Sequence, residues 1–595
     1  MTPRTVRRIR AKTQSWSPLS NGQIIAQPMI RPIVSQGGYH QKGTKQAVIW
    51  TNDKKFSGSF ELLDVELCQP VYQSQLRDAG WHLWGGNNLI ADFSQFNQPG
   101  RYRLRLNLKQ SNEVVESVTF PIRSSLYLDL AKKAARWYYY QRCGVEVPGW
   151  HPPCHTDDAM LNGSEFDTTG GWHDGGDYNK WSHYSHYGLF SLISLYEENR
   201  GIWETEDGHL PQPLEEAVWE AEYVCKVQRE DGTLLSVVGR GEDPWFWEGP
   251  PEKEPRRELS SKYGGESYSS TTLVGAAMAR LARVLRSIDY DSQTISKYLQ
   301  VAERAYRRTQ RMDFSQCDAP TQREHLDTQA GLLLLDIEMF RVTGEQRYRT
   351  DAEQRVEKIL AAQDERGFFY ADPEHKFPAS YQSGYCLVAL WEFLGFAPKS
   401  HLRSPIINAF SRWVSYAEPL FRVSNFGQFG GYAEDGSKRN LPQGTGSIYI
   451  CSAGWALATA AILLGKPDYL PAAEHQIQWI LGYNPTEVSL MAGVGQGPGA
   501  YHTRLTACEG HEDGVIPGGI LNGIRGANGS KDLNMGDERT GNLVICDALP
   551  TDYPIIDTDV YGWTYAYLPN EYWVPNNGWF VLTAVQVEKA IDLLT

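Results

Sequence analysis

The sequence predicts a mainly α-helical protein, an (α/α)6 barrel preceded by an immunoglobulin-like β-sandwich. Three observations carry this expectation. Apolar side chains recur with period two over the first ~123 residues, and with period 3.6 from Leu126 onward. The connections between the helices then alternate long and short. The expected domains are 1–123, with the first ~20 residues outside the sandwich, and 124–595. At 595 residues and 41% hydrophobic content the chain can bury more than one core.

The β region is plainest in Tyr102-Arg103-Leu104-Arg105-Leu106-Asn107-Leu108-Lys109, where every apolar side chain faces one way. Similar runs occur at Ala47–Thr51, Ser59–Leu67 and Val115–Ile122, separated by Gly, Asn, Asp and Pro. Short strands at this spacing predict an antiparallel sandwich. Twelve helices are then expected, at 126–143, 182–199, 213–228, 270–288, 295–310, 327–343, 348–363, 380–396, 405–417, 447–464, 471–483 and 577–594. Short links make antiparallel neighbours, so every second connection emerges at the same end. Six helix pairs with all the long loops on one face predict a barrel with a groove across that face.

Composition excludes some functions. The formal charge of −14 argues against a nucleic-acid binder, whose affinity rests on neutralising phosphates. No stretch is read as reaching the ~18 apolar residues that a transmembrane helix needs. Met1 to Ser20 carries Arg4, Arg7, Arg8, Arg10 and Lys12 but no apolar run. Cys225, Cys386 and Cys451 fall in apolar helical patterns as buried thiols, and a disulfide framework is not expected, which fits a reducing, cytoplasmic setting. The 19 Trp and 32 Tyr offer faces on which sugar rings stack, although aromatics also simply fill cores.

The first long loop holds Cys143, Cys154-His155 and Gly170-Gly171-Trp172-His173-Asp174-Gly175-Gly176-Asp177-Tyr178. Asp174 and Asp177 can point from one tight turn at a common water; an Asp-Gly turn or an oxygen-donor metal site is the other reading. Cys143, Cys154, His155 and His173 are a donor set that suits tetrahedral zinc, although their spacing is not that of a zinc finger. Such a metal, with no open position, would be structural. In the acidic last long loop, Glu571 among aromatics is either a solvated rim residue or a carboxyl held protonated for general acid work. His183 and His186 read as a packed pair. Trp245-Phe246-Trp247 either lines a sugar groove or packs beneath its loop. Gly495–Gly499 lacks the strand and helix that a nucleotide loop requires.

Four stretches together resemble the family 9 glycoside hydrolases, the cellulase family with an (α/α)6 barrel and, in many members, an N-terminal immunoglobulin-like domain. Tyr140–Gly144 with Cys154–Asp158 is similar to that family's zinc segment. Gly170–Tyr178 is similar to its GGWHDAGDY motif, with Gly175 replacing Ala. Ile480–Pro485 with His502-Thr503-Arg504 resembles its ILGxNP and HxR region, and Asn570-Glu571 the NE that carries its acid. The resemblance implies an inverting glycosidase with Asp177 as general base, Asp174 as its partner in gripping water, and Glu571 as general acid. It implies that His502 and Arg504, with Tyr178 and Trp573, contact an oligosaccharide substrate. It also implies structural zinc on the four Cys and His; calcium, common in the family, has no site that the sequence locates.

Departures from that pattern are Gly562, nine residues before Glu571, where the family has Asp; Trp573 in place of a small residue; and Tyr501 before His502. Aromatic bulk here suggests a closed pocket, hence exo action on short oligosaccharides. Acidic Glu509, Glu512 and Asp513 suggest glucosamine units. The expectation is therefore an exo-β-D-glucosaminidase; the alternative is an endo-β-1,4-glucanase or an enzyme that cleaves cello-oligosaccharides.

Overall fold

The structure is a computed structural model. It describes residues 29–595 except 82–85, 109–113, 204–208, 241–246, 248, 261–265, 311, 378–382, 423, 431–445, 527–553 and 557–566. Trp245, Phe246 and Gly562 lie outside the described residues.

Ten strands build the first domain: β1 Ile30–Ile33, β2 Tyr39–His40, β3 Gln46–Thr51, β4 Ser59–Asp64, β5 Gln69–Gln75, β6 Arg77–Trp81, β7 Asn87–Asp92, β8 Gly100–Asn107, β9 Val115–Glu116 and β10 Phe120–Arg123. One sheet has the order β1-β3-β7-β6 and the other β2-β10-β8-β4-β5, with β9 added on β8. Alternation decides what each strand buries. Ala47, Ile49, Leu89 and Ala91 meet Phe60, Leu62, Tyr102, Leu104 and Ile122 of the facing sheet. The alternate residues Ile33, Val48 and Ile90 point the opposite way and join the core of the helical domain. That first sheet is thus covered on both faces.

The twelve expected helices are all present, their ends displaced by no more than three residues: α1 Leu126–Tyr140, α2 Ser185–Glu198, α3 Gln212–Val227, α4 Tyr268–Arg286, α5 Ser292–Thr309, α6 His325–Thr343, α7 Gln346–Ala361, α8 Ser383–Phe396, α9 Arg403–Ala417, α10 Gly446–Leu464, α11 Leu470–Ile480 and α12 Val574–Leu594. The even-numbered helices pack in a closed ring, α2-α4-α6-α8-α10-α12 and back to α2, and each odd-numbered helix packs outside it. This is the (α/α)6 barrel. Sequence pattern decides the layer. α5 buries only Ile295, Tyr298, Val301, Ala302, Ala305, Tyr306 and Thr309, an amphipathic stripe, whereas α2 is buried nearly all round.

The same burial corrects one expectation. α10 runs nineteen residues without a charge, long and apolar enough to cross a membrane, yet 78% of that stretch is buried inside the protein. It is a wall of the inner ring. The described cysteines are all free thiols.

The long loops carry structure that periodicity does not reveal. Five short strands, β11 Met160–Leu161, β12 Ser164–Glu165, β13 Lys180–Trp181, β14 Val237–Gly239 and β15 Glu258–Ser260, form a sheet of order β12-β11-β15-β14-β13. It staples the α1–α2 loop to the α3–α4 loop.

Candidate active site

The α1–α2 loop is anchored from below by α3. Glu220 accepts from the Trp172 N–H (2.9 Å) and the Ser185 hydroxyl (2.5 Å), while Glu216 binds Arg142 at 2.6 Å. Gly170 and Gly171 have φ of +89° and +72°, a left-handed pair that side chains resist, so the chain can reverse here into His173 and Asp174.

Three segments from distant parts of the chain then interlock. Gly175 pairs antiparallel with Trp573 and His502 parallel with Glu571. The Val574 N–H donates to Asp174 O (2.8 Å), and the Arg504 N–H to Gly176 O (2.9 Å). Gly176 permits this: a Cβ there would lie 1.9 Å from the His502 carbonyl oxygen. At Gly175 a Cβ would stand 3.0 Å from Glu571 Oε1, so glycine lets that carboxyl close in. The Gly176 N–H donates to Glu571 Oε1 at 3.1 Å.

Asp174, Asp177 and Glu571 therefore share one place. Burial is the main influence on all three and raises the proton affinity of each. Asp174 is raised further by the charges of Asp177 and Glu571, and Glu571 by Asp177. Asp177 is held down against its burial by the Arg504 guanidinium and by Asn179, whose N–H donates to Oδ1 (3.0 Å) and whose amide donates to Oδ2 (2.5 Å). Asp174 Oδ1 accepts no hydrogen bond among the described residues.

Around the carboxyls, Trp573 is half-buried and packs edge-on to Tyr184 (5.0 Å, 82°), which stacks on Trp181 (5.6 Å). Burial lowers His502 to about 4, leaving it neutral. Arg504 binds Glu254 through Nη1, and its Nε and Nη2 make no hydrogen bond among the described residues. Tyr178 is only 1% exposed and stacks on His173 (4.2 Å, 10°); its ring supports the loop from behind rather than facing the cleft.

Beneath the aspartates, one ligand atom from each of Cys143, Cys154, His155 and His173 lies within 4.8 Å of the others. Cys143 Sγ is 3.5 Å from His155 Nδ1, Cys154 Sγ is 3.5 Å from His173 Nε2, and the two ring nitrogens are 3.4 Å apart. Burial pushes His173 down to about 3, so its imidazole is neutral, the form that ligates. The cluster can hold a metal ion. His183 and His186 lie buried apart from it, with His186 against Tyr187 and Tyr385.

Sequence comparison agrees with this arrangement. Residues 127–541 match the model of Glycosyl hydrolase family 9, and residues 26–111 that of the Cellulase N-terminal ig-like domain. The chain is a family 9 glycoside hydrolase. It is an enzyme that hydrolyses β-1,4 glycosidic bonds, and its substrates are oligosaccharides or cellulose-type glucans. Among curated relatives, a cellodextrinase of Butyrivibrio fibrisolvens is 25% identical over 540 residues, spanning 83% of this chain and 91% of its own. A xyloglucan-specific endo-beta-1,4-glucanase of Bacteroides ovatus is 25% identical over 82% of this chain and 85% of its own. Endoglucanase D of Acetivibrio thermocellus is 30% identical over 36% of each chain. A metagenome-derived family 9 endoglucanase shares the fold, with TM-score 0.72 at 21% identity over 94% of this chain and 99% of its own.

These relatives overturn the expectation of an exo-acting glucosaminidase, since they are named for cellulose-type glucans and predominantly for endo cleavage. The structure supplies the physical reason. Tyr501 is buried and stacks on the fully buried Tyr572 (5.4 Å, 11°), so it fills the core and closes no pocket. Glu512 and Asp513 are exposed and accept from the nearby Gly510 and Val515 N–H groups, as turn residues do.

Sequence reasoning missed Glu254 and Asn179. Asn179 had an available signal, an Asx residue two positions beyond Asp177; Glu254 had none in its local sequence.

Proposed function

We propose that this family 9 glycoside hydrolase is an endo-β-1,4-glucanase that inverts the anomeric centre. The observation that carries the reading is the convergence of three carboxyls on one place, all raised by burial, with Asp177 alone restrained by a cation and by Asn179. Glu571, raised well above the ordinary glutamate range by burial and then by Asp177, is the carboxyl that supplies a proton. The Gly176 N–H occupies Oε1, so the proton sits on Oε2. From there it passes to the glycosidic oxygen as the bond from that oxygen to C1 breaks. Asp177, whose charge Arg504 and Asn179 favour, takes a proton from water as that water attacks C1 from the opposite face. Asp174 grips the same water through Oδ1, which accepts no hydrogen bond among the described residues. Arg504 Nε and Nη2, His502 and the half-buried Trp573 are the groups that hold the sugar.

The same reading takes the metal as zinc. Tetrahedral ligand edges of about 3.4 Å (N to N) and 3.5–3.6 Å (S to N) follow from bond lengths of about 2.0–2.1 and 2.3 Å. The separations of 3.4 and 3.5 Å match these edges. With all four ligands from the protein, the ion would clamp the loop that ends in Asp174.

The test is carboxymethylcellulose viscometry alongside reducing-end release. Endo action predicts that viscosity collapses while few ends appear, and that Asp177→Asn and Glu571→Gln each cut turnover by about 10²–10⁴ in folded protein. Viscosity that falls only in step with product release, with rapid cleavage of cello-oligosaccharides, would favour the cellodextrinase reading instead.

A further inference from the structure

One buried side chain joins the metal cluster to the catalytic carboxyls, and the mechanism above does not use it. Glu254 follows the turn Pro251–Lys253 in the α3–α4 loop, and its side chain is fully buried. Its Oε2 accepts from His155 Nε2 at 2.9 Å and from Arg504 Nη1 at 2.5 Å. These are the outward nitrogen of a cluster ligand and one arm of a guanidinium whose Nε and Nη2 make no hydrogen bond among the described residues. His155 turns its remaining nitrogen, Nδ1, towards Cys143 Sγ and His173 Nε2. A proton on Nε2, held by Glu254, leaves the Nδ1 lone pair for the metal. Arg504, held by Nη1, keeps Nε and Nη2 available and its charge beside Asp177. Arg257 and Lys180, two further buried cations nearby, both pair with Asp158 (2.6 and 2.9 Å).

We propose that Glu254 is a positioning residue that fixes two groups at once, the His155 tautomer for metal binding and the Arg504 guanidinium for substrate binding. A carboxylate that merely balanced a buried charge would need neither partner in a particular orientation. The Arg504 half of this inference rests on the glucanase reading; the His155 half does not.

The experiment uses the zinc-loaded full chain as wild type, Glu254→Gln, Arg504→Ala and the double variant. Glutamine keeps the volume and one acceptor, which protects folding where Glu254→Ala would leave both partners unpaired. Zinc transfer to 4-(2-pyridylazo)resorcinol should show affinity weakened about 10–100-fold in Glu254→Gln. On cellopentaose, KM should rise about tenfold or more in Glu254→Gln with a smaller change in kcat, and by less than twofold when Glu254→Gln is added to Arg504→Ala. Zinc affinity at the wild-type level, or a wild type that takes up no zinc, overturns the His155 half. Additive effects on KM overturn the Arg504 half. A wild type inactive on cellopentaose and longer glucans defeats the glucanase reading, and zinc transfer still decides the His155 half.

Discussion

Glu571 is half-buried in a desolvated site beside an aspartate whose charge Arg504 favours, and both circumstances favour its protonated form. The sign of the pH dependence follows. Activity should fall on the acid side as Asp177 gains a proton and on the alkaline side as Glu571 loses its own, with the alkaline limb well above the ordinary glutamate range. Stability runs with the same shift. A carboxyl whose folded pKa exceeds its unfolded value supports the fold below the unfolded pKa, and that support is lost as pH rises through the folded pKa. Glu571→Gln cannot ionise, so its Tm should exceed the wild-type value by a growing margin as pH rises from the ordinary carboxylate range. It should also lose the alkaline limb of kcat/KM on a dinitrophenyl cellobioside, whose leaving group needs no proton. A bell unchanged in Glu571→Gln would remove Glu571 from the acid role. Asp174, Asp177 and Glu571 stand out in sequence because short motifs surround them. Glu254 does not, since its partners His155 and Arg504 are 99 and 250 positions away.

At the scale of elements, the α1–α2 loop has little regular structure of its own and is held at several points. Cys143 N donates to Gly171 O (2.8 Å), Gly144 N to Cys154 O (3.0 Å) and His173 N to Gln141 O (2.8 Å), all within the ligand-bearing stretches. A chelator that strips the metal should therefore loosen this loop and let Asp174 drift, while the barrel helices persist. The expected result is slow loss of activity that tracks metal release, new proteolytic cuts between residues 141 and 184, little change in helical circular dichroism, and recovery on adding zinc. Immediate inhibition with the loop still protease-resistant would instead make the metal a participant in the chemistry. The helices were legible because each buries a stripe at period 3.6 or is apolar throughout. The sheet β11–β15 was not: its strands are two or three residues long and, apart from the local β11–β12 hairpin, pair across loops distant in sequence.

At the scale of the whole molecule, the sandwich is part of the barrel's packing. Ile33, Val48 and Ile90 enter the helical core. Around them, Gln36 N donates to Leu481 O (2.7 Å), Gln36 Nε2 to Glu487 O (2.7 Å), and Arg31 pairs with Glu487 (2.8 Å). The centre of the seam is Glu474 of α11, 1% exposed, which accepts from the Thr44 N–H (2.8 Å) and the Tyr127 hydroxyl (3.0 Å). Gly43 passes so close that a Cβ there would fall 1.9 Å from Glu474 Oε1. Glu474 thus ties the sandwich to α1 and α11 together. Glu474→Ala leaves the buried Tyr127 hydroxyl and the half-buried Thr44 N–H without this acceptor, at a cost of about 1–3 kcal/mol for the hydroxyl and less for the N–H. The expected outcome is a first thermal transition lowered by several degrees and limited proteolysis that releases the sandwich. Cellopentaose kcat and KM at 25 °C should stay at wild-type levels, because no carboxyl of the site touches this seam. A variant that lost activity in proportion to stability at 25 °C would show instead that the sandwich helps to hold the catalytic loops in place.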